Sequence, residues 1–305
     1  MKKLSNFVFV ILIVGFTIVI SCNKKKDTIA GKDGIVSGKA FITVDESLLP
    51  IIEDELAVFE NTYDAKITLI PKSENEGIQS LLDGTTKIIV LSRKLDKNEQ
   101  SYFDNKKLIP KVTPFATDAI ALIKSKKSND TLVVIQDIID FMKGKPNGIK
   151  GLVFDNPNSS SVRYFKEVAG LTDIPEKGVF SFKTNDEVIK YVANNDGMIG
   201  IVGMNWIAQP LQAMQETVNK VAVLSVKSTV SNQYIYPSQD NIATKKYPLA
   251  RDLYIINCQG YDGLGIGFSS FVAGQIGQRI ILKSGLAPVR VPGRNIRVRT
   301  EIEKK

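Results

Sequence analysis

The sequence predicts a two-lobed α/β protein with mostly parallel sheets and a ligand cleft between the lobes. From Gly38 onward, short apolar segments alternate with longer amphipathic ones, which is the pattern of strands joined by helices. The segment 111–123 is extended and shows little helical periodicity, as expected where a chain crosses between lobes. Past Gln239 the alternation resumes, which indicates a return to the first lobe. A cleft between two such lobes is a natural ligand site.

The first lobe is predicted from β-α-β-α-β units, which imply right-handed crossovers and a parallel sheet. Leu48, Ile52 and Phe59 lie near helical spacing, and the third strand is continuous in Ile and Val, as in a strand covered on both faces. The predicted elements are a strand at 40–44, a helix at 46–63, a strand at 66–70, a helix at 75–83 closed by Gly84, and a strand at 87–91.

The second lobe and the return to the first follow the same logic. Extended segments at 111–114 and 119–123 flank the crossing at Phe115 to Asp118. Beyond it we predict an amphipathic segment at 132–143, strands at 151–154, 198–202 and 221–226, and helices at 162–169 and 184–194. The return includes a strand at 253–256 and one long helix at about 268–282. The first lobe is expected to comprise residues 38–115 and 228–305, and the second residues 116–227.

The N-terminal segment is predicted to be a signal peptide of residues 1–21 followed by a lipidated tether of residues 22–37. Lys2 and Lys3 precede an uncharged apolar run, 7–20, which is shorter than the ~20 residues that span a bilayer. The run ends in Val-Ile-Ser-Cys22, which resembles a bacterial lipobox and predicts lipidation of Cys22. The alternative is an ordinary secretory signal with an incidental cysteine. The protein is therefore expected in the bacterial cell envelope, facing the periplasm or the exterior. The lipid is expected to be its only contact with the membrane.

Composition argues against most classes of enzyme. The chain contains no histidine, which excludes Ser-His and Cys-His catalysis and histidine metal sites. No G-x-S-x-G, P-loop or paired C-x-x-C motif is present, so no catalytic residue, metal or cofactor is predicted. Apart from Cys22 the only cysteine is Cys258, so an internal disulfide is not expected in the mature chain.

The charge is basic but modest. The formal net charge is +8, and removal of residues 1–21 takes away two lysines and no acid, leaving 38 basic and 32 acidic residues, or +6. Aromatic residues are not interleaved with the basic ones, as a nucleic-acid surface would require, so no nucleic-acid partner is predicted.

The most informative segment runs from Leu152 to Phe165. A short apolar strand enters a Pro/Asn turn, and then Ser159, Ser160 and Ser161 open a predicted helix. A helix N terminus offers unpaired N–H groups and the positive end of the helix dipole. The serines are therefore either helix caps or hydroxyl donors to a bound anion.

Further segments occur in an order typical of one family. They are Ser92-Arg93 at a strand end, Asp118 at the crossing, the glycine-rich strand 197–203, the Tyr-Pro-Leu-Ala-Arg segment 247–251, Gly274-Gln275, and Gly-Leu-Ala-Pro at 285–288. With the serine segment they resemble the phosphate-type substrate-binding proteins of bacterial ABC importers, over about residues 38–290. The resemblance implies a class II periplasmic-binding-protein fold that closes around a small oxyanion, phosphate being favoured. It also implies an ABC permease partner, no catalysis and no cofactor; a monomer is expected.

The resemblance also implies ligand-contacting residues. Thr43 and Ser47 fall in the family's first binding loop, where this sequence carries Asp45 and Glu46; Asp45 is alternatively an N-cap. Like charges in this loop oppose a divalent anion.

Three further sites carry over from the family pattern. Ser92 and Arg93 match a contact site whose hydroxyl and guanidinium suit tetrahedral oxyanions, although Arg93 is alternatively a surface residue. Asp118 falls on an aspartate that accepts a hydrogen bond from protonated phosphate, or else satisfies backbone N–H groups at the crossing. Ser160 and Arg163 match the family's serine and final arginine.

The serine segment also departs from the family pattern. Asn156 stands where the family's first arginine would be, Ser159 and Ser161 replace glycines, and Val162 replaces a threonine. The acidic first loop and these departures leave a second hypothesis open, a cell-surface sensor or interaction module on the same fold with an altered or lost ligand. An enzyme is a third hypothesis, which the missing histidine and motifs argue against.

Overall fold

Thirteen strands are found in the part of the chain that the computed structural model describes, residues 33–145, 147–228 and 232–291. The predicted signal peptide, Cys22 and most of the tether lie outside these residues. The strands are β1 (Ser37–Asp45), β2 (Asp64–Lys72), β3 (Ile88–Leu91), β4 (Lys111–Ser125), β5 (Leu132–Val134), β6 (Gly151–Phe154), β7 (Val179–Ser181), β8 (Met198–Gly203), β9 (Val221–Val223), β10 (Ser225–Lys227), β11 (Tyr234–Ile235), β12 (Ala250–Asn257) and β13 (Ala287–Pro288).

Helices cover both lobes. They are α1 (Leu49–Thr62), α2 (Glu74–Leu82), α3 (Lys97–Asn105), α4 (Ile135–Met142), α5 (Ser160–Ala169), α6 (Asn185–Asn194), α7 (Asn205–Ala208), α8 (Gln215–Val218), α9 (Gln239–Ala243), α10 (Leu264–Val272) and α11 (Gln275–Lys283). Short 3₁₀ turns occupy Glu46–Leu48 and Gln212–Met214. No helix among the described residues is both long enough and apolar enough to cross a membrane.

One sheet runs through both lobes, in the order β2-β1-β3-β12-β4-β8-β6-β7, with β9 and β13 also paired to β4. The outer strands pair in parallel, β1 with β2 and β3 in the first lobe and β6 with β7 and β8 in the second. At the centre, β12 is antiparallel to β3 and β4, and β4 is antiparallel to β8. The predicted two-lobed α/β fold is confirmed, and its sheet is mixed because the crossing strands run against their neighbours.

The crossing itself is a single strand. β4 continues through the predicted crossing at Phe115 to Asp118, pairing with β12 over one half and with β8 and β9 over the other. Phe115 and Ile120 are fully buried on the two sides of this point. The second lobe's core also includes Ile242, Tyr247 and Leu249, so the packing favours a return of the chain near β12. The boundary at residues 227 and 228 stays a prediction.

Two helices differ from the sequence-based prediction. The long helix predicted at 268–282 is wrong: α10 ends at Val272, and α11 begins at Gln275 after Gly274, whose backbone is extended. The apolar periodicity continues across this break, which is why the pattern suggested one helix. Helix α3 was not predicted because its nine residues are mostly polar; its start is fixed by a capping box between Asp96 and Glu99.

Candidate functional site

Four strand positions bring polar side chains to one place in the sheet. Asp45 ends β1, and Ser92 directly follows β3; the pairing of Val44 with Val90 sets these two ends side by side. In the antiparallel pair of β12 and β4, Arg251 lies opposite Asp118. The sheet thereby joins residues that are far apart in sequence.

Arg251 is the centre of a buried hydrogen-bond cluster. Its Nη1 donates to Ser160 Oγ at 2.9 Å, and its Nη2 donates to Ser47 Oγ and to Asp118 Oδ2, both at 3.1 Å. The hydroxyls of Ser47 and Ser160 are 3.2 Å apart, so the first lobe touches the helix α5 of the second lobe here. Asp45 joins the group through its Oδ1, which accepts the Ser47 N–H at 3.0 Å. These five residues are called the Arg251 cluster below.

The two carboxylates of this cluster are fully or nearly fully buried. Asp118 is 0% exposed and Asp45 is 2% exposed. Burial raises the pKa of both carboxyl groups, and the positive charge of Arg251 opposes that rise. Asp45 also caps the 3₁₀ turn, so the cap expected from the sequence is present and leaves Oδ2 available to a ligand.

The serine segment forms the N terminus of α5 as the sequence predicts. Ser159 is the N-cap: its Oγ accepts the Val162 N–H at 3.3 Å and donates to Asp155 Oδ1. Ser160 enters the Arg251 cluster, whereas Ser161 Oγ has no hydrogen-bond partner among the residues that the structure describes. Gly170, with φ of 65°, ends the helix in the left-handed conformation.

Several buried polar atoms near this point lack a hydrogen-bond partner. Eight such side-chain atoms occur in the described part of the chain. Five of them belong to the Arg251 cluster, to the end of β3 and to the α5 N terminus: Asp45 Oδ2, Asp118 Oδ1, Arg251 Nε, Ser92 Oγ and Ser161 Oγ. Unpaired buried polar atoms cost about 1–3 kcal/mol each, so their concentration marks a place where a polar ligand would satisfy several at once.

Arg93 and Arg163 bind carboxylates elsewhere in the structure. Glu74, at the start of α2 and fully buried, accepts from Arg93 Nε at 2.9 Å and from Arg163 Nε at 2.6 Å. Arg93 also forms a two-pronged pair with Glu99 at 2.7 and 2.8 Å, and Arg163 contacts Glu167 at 2.9 Å. We call these contacts the Glu74 ion pairs. Because Arg163 lies on α5 and Glu74 on α2, they link the two lobes.

Other contacts also join the lobes. The Asn75 N–H donates to the Asn158 carbonyl at 3.2 Å, and Trp206 Nε1 donates to the Ser47 carbonyl at 3.0 Å. Asn185, at the start of α6, donates through Nδ2 to Glu46 at 2.7 Å and to Asp155 at 3.2 Å. Burial is the main reason that the pKa of Glu46 rises to about 8 and that of Asp155 to about 7.

A cavity of about 210 Å³ lies between the lobes beside this cluster. Its walls include Asp45 and Ser73 from the first lobe and Asp155, Ser159 and Lys183 from the second. Larger cavities, of about 490 and 670 Å³, contain no residue of the Arg251 cluster.

The structure brings together some of the predicted site residues and separates others. Ser47, Asp118 and Ser160 lie in the Arg251 cluster, and Ser159 and Ser161 flank it on α5. Thr43 is buried within β1, two positions before Asp45, and Ser92 lies at the end of the neighbouring strand.

The predictions placed Arg93 and Arg163 at the ligand, whereas the only guanidinium within hydrogen-bond distance of the described cluster hydroxyls is that of Arg251. Ligand contact by Arg93 and Arg163 stays a prediction. The ligand-contacting residues predicted from the sequence did not include Arg251, although this residue ends the Tyr-Pro-Leu-Ala-Arg segment that supported the resemblance.

The fold and site define a class: a two-lobed α/β binding protein whose lobes meet over buried hydroxyls, a guanidinium and a helix N terminus. The chain belongs to the PBP superfamily, because the model of the PBP superfamily domain matches residues 31–275. This membership confirms the predicted family and favours a binding protein over an enzyme.

Individual relatives agree with that membership. Over 263 residues the chain is 23% identical to the phosphate-binding protein PstS of Borreliella burgdorferi, an alignment that covers 79% of this chain and 86% of that protein. A putative phosphate ABC transporter substrate-binding protein from Clostridium perfringens, solved with bound phosphate, has a TM-score of 0.70 at 20% identity, covering 83% of this chain and 100% of that one. An ABC-type phosphate transport receptor from Vibrio cholerae has a TM-score of 0.62 at 16% identity, with coverage of 82% and 100%.

Proposed function

We propose that this protein is the extracytoplasmic phosphate-binding component of a bacterial ABC importer. The observation that carries the proposal is the Arg251 cluster, where one guanidinium, two serine hydroxyls and the N terminus of α5 converge between the lobes. These are the donors that a tetrahedral oxyanion requires. The named phosphate-binding relatives support phosphate as the ligand.

The proposed binding cycle is a hinge motion. With the lobes apart, Ser47 remains on the 3₁₀ turn after β1 and Asp118 remains on the crossing strand β4, whereas Ser160 and Ser161 remain on α5 of the second lobe. Closure brings both sets onto the same oxyanion, and the interlobe contacts of Glu74 and Asn185 hold the closed form. The closed form would then be the one presented to a permease.

Calorimetric titration with phosphate, sulfate and molybdate tests the proposal. We expect phosphate to bind, and Arg251→Lys to weaken binding about 10- to 100-fold because an ammonium cannot reach both serines and Asp118 in the guanidinium's planar geometry. Arg290→Lys, the same change at an exposed arginine, is the matched control and should bind as the wild type does. Absence of heat and of thermal stabilisation with all three anions would contradict the proposal.

Membrane attachment through Cys22 is a further part of the proposal. The supporting observation is the lipobox-like Val-Ile-Ser-Cys22 after an apolar run. Radiolabelled palmitate should enter the protein, and Cys22→Ala should abolish the label, whereas Cys258→Ala, at a buried cysteine, should retain it. Label that persists in Cys22→Ala would rule out this anchor.

A further inference from the structure

The Arg251 cluster carries more negative than positive charge. It holds the carboxylates of Asp45 and Asp118 and the single guanidinium of Arg251. Arg93, which follows Ser92, and Arg163, which lies on α5, are already paired with Glu74 and each with a second carboxylate, Glu99 or Glu167. A dianion would therefore add two negative charges to a buried site that already holds more carboxylates than cations. Charges in such a site are weakly screened.

Both carboxylates present a free acceptor. Asp45 Oδ2 and Asp118 Oδ1 are buried, and neither accepts a hydrogen bond within the described residues. An ionised carboxylate can only accept, so a ligand oxygen that meets it must carry a proton. An unprotonated oxygen there would face a buried acceptor, which is strongly unfavourable.

We propose that the site takes phosphate as the dihydrogen anion, with one ligand O–H donated to Asp45 and the other to Asp118. The two remaining oxygens accept from Arg251, the serine hydroxyls and the N–H groups of α5. This inference rests on the proposed function and specifies its ligand. It makes Asp45 a specificity-determining residue, because the acidic first loop supplies the second acceptor.

The charged and titratable groups around the two carboxylates are consistent with a retained proton. Asp45 faces Arg251 from β12 and Glu74 from α2, and two further acids, the adjacent Glu46 and Asp155 directly after β6, lie within electrostatic range. Asp118 faces Arg251 and Asp45, with Tyr247 nearby. Burial raises the pKa of both carboxyl groups because the buried site disfavours negative charge, and the same cost favours a ligand that enters with its protons.

The pH dependence follows from this proton count. The second ionisation of a phosphate group lies near pH ~6–7, and above it the dihydrogen form becomes scarce. The apparent Kd should then rise about tenfold per pH unit, and binding should take up about one proton per phosphate. Binding of the dianion without proton uptake would give a flat profile.

Titration of the full chain with inorganic phosphate at about pH 6 and about pH 8, in two buffers of different ionisation enthalpy, measures both quantities. Wild type should take up about one proton per phosphate at the higher pH and much less at the lower. Asp45→Asn should lose most of this uptake and of the pH dependence. Glu55→Gln is the control, because it also replaces a buried carboxyl by an amide but lies on α1, outside the cluster. It should keep both the proton uptake and the pH dependence.

Two further ligands test the inference on the wild-type protein, so the result does not depend on whether a variant folds. Methyl phosphate as a monoanion offers one O–H, and sulfate offers none, so each should bind at least about tenfold more weakly than phosphate. Phosphate bound with a pH-independent Kd and no proton uptake, or sulfate bound as tightly as phosphate, would overturn the inference and leave the proposed function standing. Failure to bind phosphate at either pH would overturn both.

Discussion

Glu55 is a buried acid of the first lobe. It lies on α1, is 0% exposed, and neither of its carboxyl oxygens has a hydrogen-bond partner among the described residues. Desolvation is the main cause that raises its pKa to about 8. The folded protein therefore binds this proton more tightly than the unfolded chain, and ionisation of Glu55 opposes folding.

The consequence is a stability that falls as the pH rises through this range. The folded pKa of about 8 lies above the ordinary value of 4.5, so the free energy of unfolding decreases as the pH rises from the lower of these values to the higher. Glu55→Gln cannot ionise, so its free energy of unfolding relative to wild type should improve by about 3–4 kcal/mol between pH ~5 and pH ~8. Urea denaturation at the two pH values measures this, and an equal difference at both would contradict it.

At the residue scale, the start of α5 could be predicted because its signal is local. The serines before α5 were identified because a hydroxyl cluster after a strand and turn is a local N-terminal signal. The role of Arg251 was not predicted, because its contact with Asp118 depends on the antiparallel register of β12 and β4. Likewise Arg163 contacts Glu74 in another lobe, and no spacing rule relates two residues so distant in the chain.

At the scale of elements, the break between α10 and α11 depends on close packing. A methyl group on Gly277 would lie 2.5 Å from both the Cα and the carbonyl oxygen of Val272. That is far inside van der Waals contact, and the obstacle is backbone rather than a flexible side chain. Glycine at 277 therefore lets the start of α11 lie against the end of α10.

Gly277→Ala should destabilise the protein by about 1–3 kcal/mol, because the two helix ends must separate to admit the methyl group. Gly148→Ala is the matched control: a methyl group there would meet nothing within 4 Å, so its effect should stay within about 0.5 kcal/mol. Thermal unfolding of the three proteins measures both effects. An alanine at 277 as stable as wild type would show that the helices are not held at this distance.

Most element types followed from the sequence, whereas one break between helices and one polar helix did not. The strands and helices of the β-α units were predictable since burial imposes periods of about 2 and 3.6 on the apolar residues. The α10–α11 break was not, because Gly274 interrupts the backbone without interrupting the apolar pattern. The polar helix α3 offered almost no apolar face, and only its capping box marked it.

At the scale of the whole molecule, the Glu74 ion pairs connect the lobes on one side of the cleft. Arg93 and Arg163 share the same Glu74 oxygen, but Arg93 belongs to the same lobe as Glu74 and Arg163 to the other. Only the second of these pairs is broken when the lobes separate. The two arginines thus form a natural comparison between an intralobe and an interlobe contact.

Arg163→Gln should favour the open form and raise the Kd for phosphate by about three- to tenfold, since closure loses an ion pair to a buried carboxylate. Small-angle scattering without ligand should show a larger radius of gyration than for wild type. Arg93→Gln removes a pair to the same carboxylate within one lobe and should leave the radius of gyration unchanged. Equal radii for all three proteins would show that Arg163 does not control closure.

The placement of β12 bears on how the chain acquires its structure. In the sheet β12 lies between β3 and β4, yet it follows them in sequence and ends only at Asn257. A chain that emerges from its N terminus, whether from a ribosome or through a membrane pore, therefore exposes β3 and β4 before the strand that joins them exists. Until then the first lobe has an unfilled central position in its sheet, so this sheet cannot be completed before residue 257 has emerged.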